Sequence, residues 1–136
     1  MIIDNCKIEY LPKIQNRFGN LTFVENMNQM PFDVKRIYYI YDIPSGQERG
    51  GHAHKSLFQC LIAISGSFDV NITDGEEKLK IHLNSPDKGL LIPSGIWRDL
   101  SDFSSGAICL VLASDFYNET DYIRNYNDFL TFRNCI

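Results

Sequence analysis

Short apolar runs separated by turn-forming sequences constrain the fold of this chain more than any other feature. The runs are rich in β-branched and aromatic residues and cover 36–43, 58–64, 68–73, 79–83, 89–92 and 107–114. Gly, Pro, Asp and Ser cluster between them, which marks turns. Many short strands with frequent turns are typical of antiparallel sandwiches and barrels. The sequence therefore predicts an all-β fold.

The hairpin over 68–83 is the clearest local unit. Asp74-Gly75 near its centre favours a tight turn, because Gly adopts positive φ without strain. Apolar and polar residues alternate in both halves of the hairpin, so each strand has one buried and one exposed face. The run 107–114 is apolar on both faces, which places it at the centre of a sheet.

Only the tail shows convincing helical periodicity. Four of its residues are spaced as on one face of a helix: Tyr122, Tyr126, Phe129 and Leu130. Thr120 or Asp121 is a suitable N-cap, so we predict one C-terminal helix at about 119–131, packed across the outside of the β-structure. A chain of 136 residues supports one sizeable core, and we expect a single domain, 1–136.

The charge balance limits the class of partner. Seventeen acidic residues against thirteen Lys and Arg give a net charge of −4. An acidic surface repels phosphate backbones, so we expect no nucleic-acid partner, whereas a few local arginines suffice to bind a small anion. The N-terminus lacks the features of a signal peptide, and no apolar run reaches the roughly 18 residues of a membrane helix. No membrane partner is expected either.

The four cysteines, Cys6, Cys60, Cys109 and Cys135, contain no CxxC pair and have no histidines clustered with them. Cys60 and Cys109 lie inside apolar runs. Buried thiols are a better interpretation of these positions than a disulfide framework or a zinc site. We therefore expect a cytoplasmic protein.

Residues 46–66 carry the motif with the most chemical content. Gly46, His52, His54, Gln59 and Gly66 match the spacing G-x5-H-x-H-x4-E-x6-G of the cupin motif, with Gln in place of Glu. Histidines at i and i+2 on a strand point to the same side, here the interior of a barrel. We therefore predict a cupin, or jelly-roll, antiparallel β-barrel with a short C-terminal helix.

Two departures from the cupin motif argue against a metal site. Gln59 is a neutral amide, and Arg98 stands where the second segment, P-S-G-I-W-R, has its ligand histidine in metal-binding cupins. A guanidinium is permanently charged and cannot coordinate a cation. We expect no metal and no cofactor, which leaves His52 and His54 free to act as acid and base.

Four other residues have simpler interpretations. His82 is expected on the exposed face of the hairpin, without a role in a site. Arg49 lies three residues before His52 and within reach of the barrel mouth. Trp97 is expected to pack against the barrel, and Gln59 to orient a histidine through a hydrogen bond.

Four segments of the chain resemble the sugar-nucleotide 3,4-ketoisomerases that act on dTDP-4-dehydro-6-deoxy-D-glucose. They are KRIYYIYDI, RGGHAHKSLFQCLIAISGS, PSGIWRDLSDFSSG and VLASDFYNETDYIRNY, and the resemblance extends from Arg17 to Phe129. It implies a metal-free cupin isomerase that moves the ketone from C4 to C3 through an enediol. The 3-keto sugar would then serve a PLP-dependent aminotransferase, on the route to 3-amino-3,6-dideoxy sugars of bacterial surface polysaccharides such as the lipopolysaccharide O-antigen.

The resemblance also implies roles for individual residues. His52 corresponds to the acid–base at carbon, and His54 to the residue that relays the hydroxyl proton between O3 and O4, although the reverse order stays open. Tyr38 matches an active-site tyrosine and would donate to the enediolate oxygen. Arg49 and Arg98 are the candidates for the diphosphate or sugar oxygens.

The remaining members of the implied substrate-binding set are Gln59, Asp99 and Arg17, with Asp99 orienting Arg98 or a histidine. Family members differ in the C4 configuration of the product, and Phe18 and Arg98 occupy the positions that vary with it. The Trp-Arg pair favours the 6-deoxygluco product over the 6-deoxygalacto product. Arg17, however, lies one position from an arginine of the galacto branch.

The resemblance further implies a homodimer in which the N-terminal strand is exchanged between protomers. The sequence is compatible with this arrangement, because 21–24 is an isolated apolar strand between loops. Such a segment is suited to adding to a neighbour's sheet edge.

Three alternatives remain. A metal-dependent cupin, such as a dioxygenase or an aldose isomerase, would use His52, His54 and Gln59. A sugar-nucleotide 3,5-epimerase would share the barrel and the deprotonation step, although the chain is short for that family. A non-catalytic sugar-nucleotide-binding cupin would have no need of two unmetallated histidines on one strand face.

Overall fold

Strands provide most of the regular structure of residues 3–134, which the computed structural model describes. They are β1 (Lys7–Tyr10), β2 (Lys13–Asn16), β3 (Gly19–Thr22), β4 (Arg36–Ile40), β5 (Arg49–His54), β6 (Gln59–Ser65), β7 (Phe68–Thr73), β8 (Lys78–Leu83), β9 (Lys88–Ile92), β10 (Trp97–Ser101), β11 (Ile108–Ala113) and β12 (Tyr122–Ile123). One α-helix, α1, is Tyr126–Phe132, and 3-10 turns lie at Ile3–Asn5 and Glu119–Asp121. Each of the six apolar runs of the sequence overlaps one strand, to within one residue for the three strands that extend beyond their runs. The six strands are β4, β6, β7, β8, β9 and β11.

Two five-stranded antiparallel sheets form the barrel. The first has the order β1-β9-β6-β11-β4, and the second has the order β12-β5-β10-β7-β8. Neighbours in the sheets are mostly not neighbours in the chain, which is the connectivity of a jelly roll. The predicted all-β cupin fold is confirmed.

The space between the two sheets is apolar along most of its length. Side chains alternate across a strand, so every second residue points inwards. Phe68, Val70 and Ile72 of β7 are at most 1% exposed and meet Leu61 and Ala63 of β6 in one cluster. Burying a side chain of the size of Val, Ile or Phe stabilises a fold by roughly 1.5–3 kcal/mol. Any polar group inside this barrel is therefore exceptional.

A second apolar cluster covers the outside of the first sheet. Cys109 and Val111 of β11 belong to the barrel interior. Leu110 and Leu112 of the same strand point outwards and pack against apolar residues of the segment 24–34. Both faces of β11 are covered, which explains its apolar sequence, and the strand lies between β6 and β4, away from the sheet edges, as predicted.

The C-terminal helix is shorter than predicted. α1 begins at Tyr126, because the Asn125 side chain accepts a hydrogen bond from the Asp128 N–H and caps the helix there. The predicted start at residue 119 is wrong. Glu119–Asp121 forms a 3-10 turn, and the two residues of β12 then extend to pair with β5.

α1 packs against the outside of the second sheet, as predicted. Phe129 is fully buried and shares a cluster with Ala53 of β5. Trp97 of β10 contacts Tyr126 and Phe129 through its ring, which confirms its packing role. No helix within residues 3–134 is long and apolar enough to span a membrane.

β2 and β3 form a two-stranded ribbon, residues 13–22, apart from the two sheets. The predicted strand at 21–24 is found at Gly19–Thr22, where it pairs with β2. In the described part of the chain the ribbon pairs with neither five-stranded sheet. Phe18 at its tip is 85% exposed, and Ile14 and Leu21 are also exposed. No other described residue covers these apolar side chains.

We predict that Gly66→Ala destabilises the fold strongly. Gly66 has φ +65°, and a Cβ there would lie 2.4 Å from Ser104 Oγ and 2.9 Å from the Ala107 Cα. Strain at positive φ adds to the cost of overpacking, so chemical denaturation should show a free energy of unfolding lower by roughly 2–5 kcal/mol.

Gly106→Ala is the matched control. Gly106 has φ +72°, but no described atom lies within 4 Å of a Cβ at this position. Only the conformational cost of about 1–2 kcal/mol remains. An equal loss of unfolding free energy in the two variants would show that glycine is needed at position 66 for its backbone conformation alone and not because the site is crowded.

Candidate active site

A cluster of polar side chains interrupts the apolar interior at one end of the barrel. It consists of Tyr38 on β4, His52 and His54 on β5, Gln59 on β6 and Arg98 on β10. Strand pairing brings Arg98 directly opposite His52. His54, Gln59 and Arg98 are at most 2% exposed. The structure thus unites the motif histidines with the two residues that depart from the cupin motif.

The two histidines of β5 lie side by side. Their ring centroids are 4.8 Å apart and their planes nearly perpendicular, at 86°. Ala53 between them lies on the opposite face, under α1. Tyr122 of β12 packs against both rings, with its centroid 5.1 Å from His52 and 4.4 Å from His54. The pairing of β12 with β5 therefore closes one side of the histidine pair.

Both imidazoles are uncharged at neutral pH. Burial first, and the Arg98 charge second, lower the pKa of His52 to about 2 and the pKa of His54 to about 3. Nε2 of His52 and both ring nitrogens of His54 are buried without a hydrogen-bond partner among the described residues. Neutral imidazoles in this state can accept a proton from a ligand or exchange hydrogen bonds with its hydroxyl groups.

Asp121 lies beside His54 without forming an ion pair with it. Its Oδ2 is 3.3 Å from His54 Nδ1, but the contact lacks the alignment of a hydrogen bond, and the low pKa of His54 leaves the ring uncharged. The carboxylate instead accepts hydrogen bonds from the N–H and hydroxyl of Ser56 and from the Leu57 N–H. Asp121 therefore ties the tail to the β5–β6 turn and does not cap a helix.

Arg98 is a buried cation held by neutral groups. Its Nη1 donates to Gln59 Oε1 at 2.5 Å, and its Nε and Nη2 donate to the Ile96 carbonyl at 3.4 and 3.3 Å. Among the described residues, no carboxylate pairs with it. Burial lowers its pKa to about 10. Arg98 therefore keeps its positive charge at neutral pH, next to the histidines.

Two expectations about these polar residues are wrong. Gln59 does not orient a histidine, because its Nε2 donates to the Tyr38 hydroxyl at 3.0 Å while its Oε1 accepts from Arg98. Asp99 orients neither Arg98 nor a histidine. Side chains alternate along β10, so Asp99 lies on the outside of the barrel, where it accepts a hydrogen bond from Asn71 at 2.7 Å.

A cavity of about 530 Å³ opens beside His52. Tyr38 and Arg49 line it, so Arg49 reaches the mouth of the barrel as predicted. Two further arginines, Arg36 and Arg124, also line the cavity and were missed by the sequence reasoning. Alternation along β4 could have revealed Arg36, which shares a face with Tyr38. No local signal marks Arg124, because the pairing of β12 with β5 brings it there.

Arg124 and Arg36 at the mouth of the cavity differ in their hydrogen-bond partners. Arg124 donates two hydrogen bonds to the Glu119 carboxylate, at 2.7 and 2.9 Å, and its guanidinium lies 4.2 Å from the Tyr122 ring centroid. Arg36 stacks over the Tyr38 ring at 5.2 Å. Its Nε is buried without a hydrogen-bond partner among the described residues. A ligand oxygen could therefore bind Arg36 without displacing an existing hydrogen bond of that nitrogen.

Two other sequence-selected residues lie away from the histidine pair. Arg17 is exposed at the tip of the ribbon, where its guanidinium stacks over Phe18 at 4.7 Å, and it does not line the cavity beside His52. His82 is exposed on β8 and lies 2.8 Å from Asp69, which confirms its place on the exposed face of the hairpin.

Cys60 and Cys109 are buried free thiols, as predicted, and Cys6 is buried as well. Burial raises the pKa of both Cys60 and Cys109 to about 12, so they are protonated at neutral pH. Cys135 lies outside the described residues. Across residues 3–134, no three His, Cys, Asp or Glu side chains converge in a way that could hold a metal ion.

Comparison with known proteins identifies the family. The family model described as "FdtA: WxcM-like, C-terminal" matches residues 4–134. The chain belongs to this family. A TDP-4-oxo-6-deoxy-alpha-D-glucose-3,4-oxoisomerase from Aneurinibacillus thermoaerophilus is 43% identical over 123 residues, which cover 90% of this chain and 88% of the relative.

Two solved structures of related proteins share the architecture of this FdtA-like chain. The WlaRB TDP-quinovose 3,4-ketoisomerase from Campylobacter jejuni is 50% identical, covers 95% of this chain and 99% of its own, and gives a TM-score of 0.91. QdtA, a sugar 3,4-ketoisomerase from Thermoanaerobacterium thermosaccharolyticum in complex with TDP, is 39% identical, with coverages of 98% and 97% and a TM-score of 0.96. The family resemblance predicted from the sequence is confirmed.

The buried histidines of this FdtA-like protein should make its stability depend on pH. An unfolded histidine takes up a proton at a pKa of about 6.5, whereas folded His52 and His54 do so only near 2 and 3. The unfolded state therefore binds more protons between these values. We expect the free energy of unfolding to fall as the pH is lowered from about 6.5 towards 3, as measured by denaturant titrations.

Replacing both histidines by asparagine should flatten this dependence, since asparagine does not titrate. The matched control is His82→Asn on the exposed face of β8. In this variant the free energy of unfolding should still decrease as the pH is lowered. A dependence as steep in the His52→Asn/His54→Asn variant as in the parent would contradict the assignment of neutral buried imidazoles.

Proposed function

We propose that the protein is a sugar-nucleotide 3,4-ketoisomerase that converts dTDP-4-dehydro-6-deoxy-D-glucose to its 3-dehydro isomer. The observation that carries the proposal is the pair of neutral, buried histidines on one face of β5, at an arginine-lined cavity. The family and its relatives make the chain an isomerase. The names of the Aneurinibacillus and Campylobacter relatives specify TDP-linked sugars, which supports the same substrate class here.

The first step removes the proton from C3, which the neighbouring C4 ketone makes acidic. We assign this step to Nε2 of His52. The electron pair of the C3–H bond forms the C3=C4 double bond, and the negative charge moves to O4. His52 lines the same cavity as Arg49 and Tyr38, whereas His54 lines a separate polar cavity of about 190 Å³ with Asp121. This difference in access favours His52 over His54 as the carbon base.

The next steps move the O3 proton to O4 and add a proton at C4. Tyr38 faces the cavity and donates a hydrogen bond to O4, where negative charge develops, while keeping its proton. His54 relays the hydroxyl proton from O3 to O4. In the 6-deoxygluco product H4 lies on the ring face opposite to the one that H3 left. We therefore assign the C4 proton to solvent on that opposite face. The C3=C4 double bond then collapses to the C3 ketone, and protonated His52 releases its proton to solvent. Protons and electrons balance, so the reaction needs no external oxidant or reductant.

The diphosphate is proposed to bind the arginines at the cavity mouth. Arg49 is exposed at the mouth, and Arg36 has a buried Nε that lacks a hydrogen-bond partner among the described residues. Guanidinium groups suit phosphate oxygens because they present parallel N–H donors. Arg98 is deeper in the barrel and acts there mainly through its charge. These local cations explain how an acidic protein can bind an anionic sugar nucleotide.

The 6-deoxygluco configuration is the proposed product. Arg98 directly follows Trp97, which the family resemblance associates with this product. The relative with 50% identity is named a TDP-quinovose 3,4-ketoisomerase, and quinovose is 6-deoxyglucose. A 3-ketone is also the functional group that an aminotransferase converts to a 3-amine, so we propose that such an enzyme consumes the product.

An NMR assay in D2O tests the reaction. Metal-stripped protein is mixed with dTDP-4-dehydro-6-deoxy-D-glucose, and C3 and C4 are followed. We expect a ketone at C3, a new hydrogen or deuterium at C4, and an H4 coupling typical of the gluco configuration. His52→Asn should lower kcat by roughly 10²–10⁴-fold, the usual contribution of a general acid–base.

Each alternative function gives a different result in this assay. Turnover only after addition of iron or manganese would indicate a metal-dependent cupin. Deuterium at both C3 and C5 without ketone migration would indicate a 3,5-epimerase. Binding without turnover in the parent protein would indicate a non-catalytic module, and a fully active His52→Asn variant would contradict the assigned base.

We also propose a homodimer in which the N-terminal ribbon, β2–β3, packs on the partner subunit. The ribbon exposes Phe18, Ile14 and Leu21. A groove of about 440 Å³, lined mainly by apolar residues such as Phe23 and in part by the ribbon itself, lies on the first sheet. Apolar patches of this kind on a soluble protein are typical of interfaces.

Leu21→Asp should shift the protein from dimer to monomer in light scattering at micromolar concentration, because a buried carboxylate is costly at an apolar interface. Leu79→Asp, on β8 of the second sheet, is the control and should remain dimeric. A parent protein that is monomeric at these concentrations would rule out the exchanged ribbon.

A further inference from the structure

We propose that Gln59 is a positioning residue that fixes the direction of the Tyr38 hydroxyl. The buried side chains of Arg98 and Gln59 and the partly buried side chain of Tyr38 form a chain of hydrogen bonds from the barrel interior to the cavity. This inference rests on the proposed ketoisomerase function, in which Tyr38 donates to the enediolate oxygen.

The orientation of the Gln59 amide follows from Arg98. A guanidinium has only donors, so the amide must turn its oxygen towards Arg98 and its nitrogen away. The observed Nη1–Oε1 distance is 2.5 Å. Gln59 is 1% exposed, so water does not compete for the amide. One permanent charge therefore removes the ambiguity between the two orientations of the amide.

The amide nitrogen in turn sets the role of Tyr38. Gln59 Nε2 donates to the Tyr38 hydroxyl oxygen at 3.0 Å, so that oxygen is the acceptor of this bond. The hydroxyl hydrogen must point elsewhere, and no described residue accepts it. Tyr38 lines the cavity. Its hydrogen is thus available to a ligand oxygen, and the donor is oriented before the ligand binds.

A glutamate at position 59 would reverse this polarity. A carboxylate only accepts hydrogen bonds, so it would accept from both Arg98 and Tyr38. The Tyr38 hydrogen would then point away from the cavity. The glutamine at the place where the cupin motif has glutamate is therefore a requirement of this site, beyond the loss of a metal ligand.

Gln59→Glu is the test, with turnover measured on dTDP-4-dehydro-6-deoxy-D-glucose in the presence of a chelator. The new carboxylate can pair with Arg98, so we expect the variant to fold, as checked by thermal unfolding. We expect kcat to fall by about 10²–10³-fold, the loss typical of one oxyanion donor, with KM changed by less than about threefold. Gln29→Glu is the control, because its side-chain oxygen accepts from the Glu25 N–H and a carboxylate preserves that bond.

A double-mutant cycle with Tyr38→Phe separates positioning from a general effect. Rates are compared at the pH optimum of each variant, because neutralising Arg98 raises the pKa of both histidines. We expect the loss of kcat caused by Gln59→Glu to be at least tenfold smaller in the Tyr38→Phe background than in the parent, the remaining loss being the effect of neutralising the Arg98 charge. Additive losses would overturn the proposal, as would a Gln59→Glu variant as active as the parent.

Gln59→Met is the second variant, which removes the amide without reversing the hydrogen bond. Its kcat should lie between those of the parent and Gln59→Glu. A loss in Gln59→Met as large as in Gln59→Glu would also overturn the proposal, because it would show that polarity does not matter. Failure of the parent protein itself to isomerise the sugar would instead refute the proposed function.

Discussion

A buried guanidinium that pairs with no carboxylate of the described residues dominates the electrostatics of this barrel. Removing a cation from water costs several kcal/mol, and within residues 3–134 Arg98 donates hydrogen bonds only to the neutral oxygens of Gln59 and Ile96. Its charge helps to keep both histidines unprotonated. The same charge favours any anion that forms in contact with the cluster. The site is thus electrostatically prepared for negative charge, which is the condition for preorganised stabilisation of an enediolate.

Strand geometry protects this unpaired charge. Arg98 points into the barrel, and the adjacent Asp99 must point out, where Asn71 binds it. A carboxylate one residue away therefore cannot neutralise the guanidinium. The apolar side chains of β6 and β7 fill the rest of the interior and keep the effective dielectric constant low. The interaction between Arg98 and the histidines is consequently stronger than it would be in water.

Local signals in the sequence predicted the strands and the direction of the motif histidines, because alternation and i, i+2 spacing act within a few residues. The partners of those histidines depend on long-range pairing. Gln59 and Arg98 are 39 residues apart, and Arg124 reaches the cavity only because β12 pairs with β5. The same pairing overrode the helical spacing that begins at Tyr122, so α1 starts after Asn125. The helical spacing of the sequence could not show that strand pairing would prevail over helix formation at Tyr122.

The low pKa values of the histidines are compatible with their proposed role as bases, because the imidazolium and the substrate anion form in the same step. An imidazole with a pKa of about 2 is a weak base towards water. When it takes a proton from C3, however, the substrate becomes an anion in the same step and lies beside the new imidazolium. Their attraction inside the barrel offsets the burial that lowers the pKa of the free imidazole. In the proposed reaction Arg98 and the Tyr38 hydroxyl stabilise the anion, and the net charge of the site does not change when the proton moves from C3 to the imidazole.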